Sequence, residues 1–232
     1  MRTLFIEAHL DVDIISAIIP NLHKIMKYKK IGLFTTVQHI KQFDAAKRFL
    51  EKNGVKVFIN SSTKASLEQG PKSAYCGQLL GCDSSAARSM KVDAFVYIGT
   101  GEFHPLAISI ETDKPVFKIN PFTKKLDKIE NSARYKFLAK QAARLANLQD
   151  AKKVGIILST KPGQYKPNIA KKLQKKFLNS ALFITDMITS QSLLDFSDID
   201  AWINTACPRL VEDRWPKLFV NADEIIKSKV FK

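Results

Sequence analysis

KIGLFTT, residues 30–36, and KVGIILST, residues 153–160, decide the fold. Each is an almost unbroken apolar run of strand length, entered through a lysine, with glycine two places on and hydroxyl residues at its exit. Such a run marks a strand buried on both faces, the kind found in parallel sheets, rather than one alternating between core and water. A helix should follow the first run, because Ile40, Phe43, Ala46, Phe49 and Leu50 share one side of a 3.6-residue period and Gly54 stands where a helix stops. Working outward, further strands are expected at 55–59, 94–98 and 115–119, with helices at 84–90 and 105–112. A long helix over 131–149 carries Tyr135, Leu138, Ala142, Leu145 and Leu148 along one side. The pattern then restarts, with strands expected at 153–160, 181–185, 201–204 and 218–220, and helical stretches at 169–178 and 193–196. Strands alternating with helices in this rhythm predict an α/β fold built on parallel sheets.

The restart reads as an internal repeat. Besides the two lysine-x-glycine runs, VDAFVYI (92–98) matches IDAWINT (199–205). The sequence therefore predicts two tandem parallel-sheet domains of similar topology, residues 1–127 and 128–232, with the long helix between them. The 232 residues are 45% hydrophobic and 25% charged, which excludes a disordered chain, and three cysteines are too few for a disulfide-built scaffold. No stretch approaches the roughly 18 apolar residues that span a bilayer. The opening MRTLFIEAHLDVD reaches an acid within seven residues, unlike a secretory leader, so a cytoplasmic location with reduced cysteines is expected.

Lysine and arginine outnumber the acids 37 to 22, for a net charge of +15. Lysines 152, 153, 161, 166, 171, 172, 175 and 176 fall in a stretch between Asp150 and Asp186 that holds no acid. A surface of this kind attracts polyanions or acidic proteins. No aromatic residues interleave with the lysines in an RNA-binding signature, so direct nucleic-acid binding is not expected.

Chemistry gathers around cysteine and glycine. Cys82 ends GQLLGC and precedes the small-residue helix start DSSAA, a setting that lowers a thiol's pKa. Cys207, in NTACPR, follows a predicted strand at the end where parallel α/β sheets bind ligands. Cys76 lies six residues before Cys82, a spacing that fits neither a zinc ribbon nor a thioredoxin motif. Gly99-Thr-Gly-Glu-Phe-His-Pro105 also leaves a predicted strand, and its glycines allow a ligand to approach the backbone. His104 is a candidate ligand-contacting residue, and His39 sits at a strand-to-helix turn on the same expected edge. Glu212 and Asp213 either hold a cationic amine or cap the segment that follows.

GQLLGC (77–82), FVYIGTGEFHPL (95–106) and WINTACPRL (202–210), in this order, resemble the diphthamide synthesis family, the 2-(3-amino-3-carboxypropyl)histidine synthases. IEAHLDVD and KIGLFTTVQHI fit its second domain. The resemblance implies three similar α/β domains, each giving one cysteine to a 4Fe–4S cluster. The open iron site meets S-adenosylmethionine, and the reduced cluster releases a 3-amino-3-carboxypropyl radical that adds to a histidine of translation elongation factor 2, the first step of diphthamide biosynthesis. On this resemblance Cys82 is the second-domain ligand and Cys207 the third-domain ligand. Cys76 is a weaker candidate ligand, and Gln78, Gly99, Thr100, Gly101, His104 and Pro105 are contacts for S-adenosylmethionine.

The resemblance covers residues 4 to about 215, and the family's first domain has no counterpart in it. That departure suggests a truncated sequence or a split enzyme with a separate chain carrying the missing domain and cysteine, assembled as a homo- or hetero-oligomer. Two other readings stand beside it: a non-catalytic or electron-delivering subunit of a synthase complex, and a zinc-stabilised α/β binding module using the cysteines and His104.

Overall fold

The structure, a computed structural model, describes residues 6–60, 75–80, 84 and 86–228. Cys82 lies outside the described residues, as does Ser85, and Ser84, where the expected helix begins, is not helical. Contacts divide the chain into two units that part between Tyr135 and Lys136.

The first unit begins with two short helices, α1 (Ile14–Ile18) and α2 (Leu22–Ile25), which the apolar periodicity does not announce because neither exceeds five residues. Asp13 caps α1, its Oδ1 accepting from the amides of Ile15 at 2.9 Å and Ser16 at 3.2 Å. Then follow β1 (Lys30–Thr35), α3 (Ile40–Lys52), β2 (Lys56–Phe58), α4 (Ala86–Ser89), β3 (Ala94–Ile98), α5 (Phe103–Glu111), β4 (Val116–Ile119) and β5 (Leu126–Lys128). The sheet order is β2-β1-β3-β4-β5, parallel except for β5, which pairs antiparallel with β4. All five residues of β3 are buried, as a parallel strand covered on both faces requires. α3 turns Phe43, Ala46 and Leu50 into the core, the face its period marked. α5 starts two residues earlier than the sequence suggests, because proline is tolerated in a first helical turn. His104 therefore sits on the helix and not in the loop before it.

α6 (Asn131–Gln149) runs through the division between the units. Its predicted apolar side is only partly used: Leu145 and Leu148 are buried, while Tyr135 is 61% exposed and Ala142 is also exposed.

The second unit holds β6 (Val154–Ser159), α7 (Pro167–Lys176), β7 (Ser180–Thr185), α8 (Ser190–Leu194), β8 (Ala201–Asn204), β9 (Leu218–Asn221) and α9 (Ala222–Lys227). Its sheet is parallel throughout, in the order β7-β6-β8-β9. Stripped of β5, the first sheet has the same order, so the repeat in sequence is a repeat in topology.

The repeat extends to side chains. Gly32 lies opposite Phe95 and Gly155 opposite Trp202 in the parallel registers. A Cβ on Gly32 would stand 2.5 Å from the Phe95 ring, and one on Gly155 would stand 2.3 Å from the Trp202 ring. In each unit, glycine on the central strand makes room for an aromatic on the next, which explains the shared lysine-x-glycine opening. Asp93 and Asp200 also match: Asp93 Oδ2 accepts from the amide of Lys30 at 2.9 Å, and Asp200 Oδ2 accepts from the amides of Lys152 at 2.9 Å and Lys153 at 2.8 Å. Each carboxylate fastens the entry of the central strand.

Candidate functional site

The carboxyl ends of β1 and β3 carry the glycine- and histidine-bearing motifs of the first unit. Residues 77–79 run alongside the end of β1. The amide of Thr35 donates to the Gly77 carbonyl at 2.9 Å, and the amide of Leu79 donates to the Thr35 carbonyl at 2.7 Å. Gln78, buried in this extra rung, accepts from the amide of Tyr75 at 3.1 Å through Oε1. That bond ties the turn bearing Cys76, whose side chain is exposed and free of any disulfide.

At the end of β3 the chain passes through Gly99 and Thr100 into α5. Tyr97 is 1% exposed, and burial pushes its phenol up to about 12. It therefore remains protonated through the physiological range. Its ring stacks on that of His104, with centroids 5.6 Å apart and planes 12° from parallel, and its hydroxyl lies 3.5 Å from His104 Nδ1. Gly99 is required here, because a Cβ would meet the Tyr97 hydroxyl at 2.6 Å. Gly99 and Pro105 are buried, His104 is half-buried, and Thr100 and Gly101 are exposed.

His39 also lies past the end of β1. It is 3% exposed, its Nδ1 has no hydrogen-bond partner, and burial pulls its pKa below the usual imidazole value. Spacing alone gave it little weight, and only the fold shows that it is an enclosed polar group.

In the second unit Cys207 stands just beyond β8, half-buried and free of any disulfide. Two buried asparagines hold its loop. Asn204, the last residue of β8, donates from Nδ2 to the Cys207 carbonyl and to Asn221 Oδ1, both at 2.8 Å, and its Oδ1 accepts from the Ala206 amide at 2.9 Å. Asn221, the last residue of β9, donates from Nδ2 to the Pro208 carbonyl at 2.9 Å. Beside Cys207 lies a cavity of about 130 Å³, lined by Ser159, Lys161, Gln164, Asp186 and Leu210 among others. A free, half-buried thiol at the edge of a cavity suits a sulfur that ligates metal. Glu212 and Asp213 are exposed, and the Asp213 amide donates to the Leu210 carbonyl at 3.2 Å, closing a 3₁₀ turn over Pro208–Glu212.

Among the described residues no group of three or more His, Cys, Asp or Glu side chains is placed to hold a metal ion. No helix among them is long and apolar enough to cross a membrane.

The sequence profile of the family described as "Putative diphthamide synthesis protein" matches residues 1–221. The 2-(3-amino-3-carboxypropyl)histidine synthase of Pyrococcus horikoshii is 34% identical over 230 residues, which cover 96% of this chain and 64% of that protein. The crystal structure of Dph2 from Pyrococcus horikoshii superposes with a TM-score of 0.82 at 32% identity, covering 94% of this chain and 62% of that one. The crystal structure of that protein with a 4Fe-4S cluster gives a TM-score of 0.80 at 33% identity over the same shares. The chain thus spans somewhat less than two thirds of the length of these relatives.

Proposed function

Because the chain belongs to the diphthamide synthesis family, we propose that it carries two of the thiolates of a 4Fe–4S cluster, Cys82 and Cys207. We propose further that it takes part in transfer of the 3-amino-3-carboxypropyl group from S-adenosylmethionine to a histidine of translation elongation factor 2. The observation that carries this reading is Cys207 itself: a free thiol held at the carboxyl edge of a parallel sheet, beside a cavity, inside the family match. The related Dph2 structure with a 4Fe-4S cluster supports the choice of cofactor.

When bound, the cluster supplies the electron that cleaves a carbon–sulfur bond of S-adenosylmethionine. The chain's own residues bind and orient. Cys207 offers its sulfur from a loop fastened by two buried amides. Lys161 and Asp186 place charges of opposite sign on the cavity wall, the lysine suited to a substrate carboxylate. On the first unit, Thr100, Gly101 and His104 are the expected contacts of that motif that solvent or ligand can reach. Gly99 and Pro105 shape the turn, and Gln78 holds the Cys76 turn, so these three act on S-adenosylmethionine through placement. The basic surface fits docking on a large acidic or RNA-associated factor.

Anaerobic reconstitution with iron and sulfide tests the reading, followed by iron counting and electron paramagnetic resonance with and without S-adenosylmethionine. A reducible 4Fe–4S signal that S-adenosylmethionine perturbs is expected, and C82A or C207A should each abolish iron retention. Full cluster binding by either variant would overturn the ligand assignment. C76A decides whether the remaining thiol of this chain serves as the third ligand. Full iron retention by C76A would exclude Cys76 and leave the third position to an exogenous ligand.

A further inference from the structure

We infer that Asn204 and Asn221 are positioning residues whose paired amides fix the Cys207 loop and so set where its sulfur is presented. The inference deepens the proposed cluster reading and rests on it only for the role of that sulfur. Asn204 is 2% exposed and Asn221 5% exposed, at the ends of adjacent strands β8 and β9. Two amides buried at a sheet edge carry a desolvation cost unless their donors and acceptors are matched. Here they match one another and the loop. Asn204 grips the loop at the Ala206 amide and the Cys207 carbonyl, Asn221 grips it at the Pro208 carbonyl, and the two side chains bond to each other. Three consecutive residues centred on the cysteine are thus held by side chains from two strands.

Pro208 has no amide proton, so it cannot tie the loop itself, and both asparagine grips on the Cys207–Pro208 segment fall on carbonyls. The sulfur is left as the unconstrained polar group of its residue, half-buried on the cavity wall. Glu224, 5% exposed and ion-paired to Arg144 at 2.7 Å, also bonds to Asn221, which secures the far side of the amide pair. Partners that orient a ligating side chain in this way usually change metal affinity about 10–100-fold when removed.

The decisive variant is N204D in a C76A/C82A background, in which Cys207 is the sole thiol. Aspartate keeps the shape of asparagine and the acceptor for the Ala206 amide, but it removes both donated bonds. Its iodoacetamide alkylation rate, measured well below the variant's melting temperature, should change about tenfold, the value of one hydrogen bond of ordinary strength. With Cys76 and Cys82 restored, N204D should lose iron to a chelator about 10–100-fold faster than the unsubstituted protein. N204L, which removes the same bonds and adds no charge, should show both effects, so that the charge of aspartate is not their cause. Unchanged alkylation in N204L would overturn the inference, because a side chain that only fills space would tolerate leucine. Changed alkylation in a protein that binds no iron even without substitution would uphold the anchoring of Cys207 and overturn the cluster reading instead.

Discussion

Replacing Gly155 with alanine tests the packing rule that both units share. The new Cβ would lie 2.3 Å from Trp202 Cζ3 and 2.4 Å from Cε3, more than 1 Å inside the roughly 3.5 Å of a normal carbon contact. Trp202 cannot swing away cheaply: it is fully buried, with Phe183 at 4.7 Å and Phe196 at 5.9 Å between ring centroids. The backbone cannot yield either, because β6 is bonded on one side to β7 and on the other to β8. Overpacking of this kind costs about 1–3 kcal/mol. Alanine in a strand should otherwise stabilise by about 0.5–1 kcal/mol relative to glycine. The overpacking therefore wins, leaving a net loss near 1–2 kcal/mol by these figures. For a unit of about 100 residues that lowers the melting midpoint by roughly 4–16 °C. Tryptophan fluorescence during urea or thermal unfolding is the assay, since both tryptophans, Trp202 and Trp215, belong to the second unit. A second substitution, Trp202→Leu, should recover part of the loss because it empties the space that the methyl enters. A G155A protein as stable as the original, or one with no coupling to W202L, would refute the account of the glycine–aromatic pair.

R144A should destabilise the second unit by about 3–5 kcal/mol at neutral pH, because it strands the buried Glu224 carboxylate. Burial already raises the Glu224 pKa in spite of Arg144, and losing the arginine raises it further; the deficit should shrink as pH falls and the carboxyl takes up a proton, which denaturation from pH 7 to pH 5 will read. His39 gives the opposite dependence. Its folded pKa lies below the ordinary 6.5, so the unfolded chain binds the proton more tightly, and its contribution is intact above that value and lost as pH falls through it toward the folded pKa. H39N should flatten that part of the stability profile, and an unchanged slope would remove His39 as its source. D200A deletes the acceptor of two strand-entry amides and should cost about 1 kcal/mol, an exposed site keeping the value small.

The strands were legible because burial on both faces leaves no room for a polar residue, and β3, β8 and α6 fall where the apolar runs place them. What was not legible has local causes. α1 and α2 are too short to establish a period, and a capping aspartate marks α1 alone. The charged β5 reads as a loop because it pairs on one side only, with its burial confined to Leu126. The half of α6 before Leu145 shows an apolar side that its own unit does not bury. Of the candidate site, Cys207 and His104 could be singled out as candidates from their neighbours in sequence. The asparagine pair could not, because Asn204 and Asn221 are 17 residues apart and meet only through the parallel register of β8 and β9.

The same register explains how a duplicated scaffold can carry two unlike edges. Phe34 pairs with Tyr97 in the first unit as Ile157 pairs with Asn204 in the second, so Tyr97 and Asn204 are equivalent positions. Each is buried, each ends a polar side chain at the carboxyl edge, and each anchors the segment that follows: Tyr97 stacks on His104, and Asn204 bonds to the Cys207 carbonyl. Counting on from them, Cys207 falls opposite Thr100, so the repeat supplies the anchor position but not the cysteine. A strand end sealed by neighbours on both sides is rigid, and a polar group there can fix a loop without ordering it anew when a ligand binds. Exchanging the anchors makes the point testable. Y97N should take away the ring stacked on His104, and the first unit has Lys118, paired with Glu102 and Asp127, where the second has Asn221. The His104 ring resonances should lose the part of their aromatic shift that Tyr97 gives in Y97N and keep it in Y97F, with Phe103, 5.5 Å away between centroids, supplying the rest in both. Retention in Y97N would mean that α5, rather than the strand end, holds the ring.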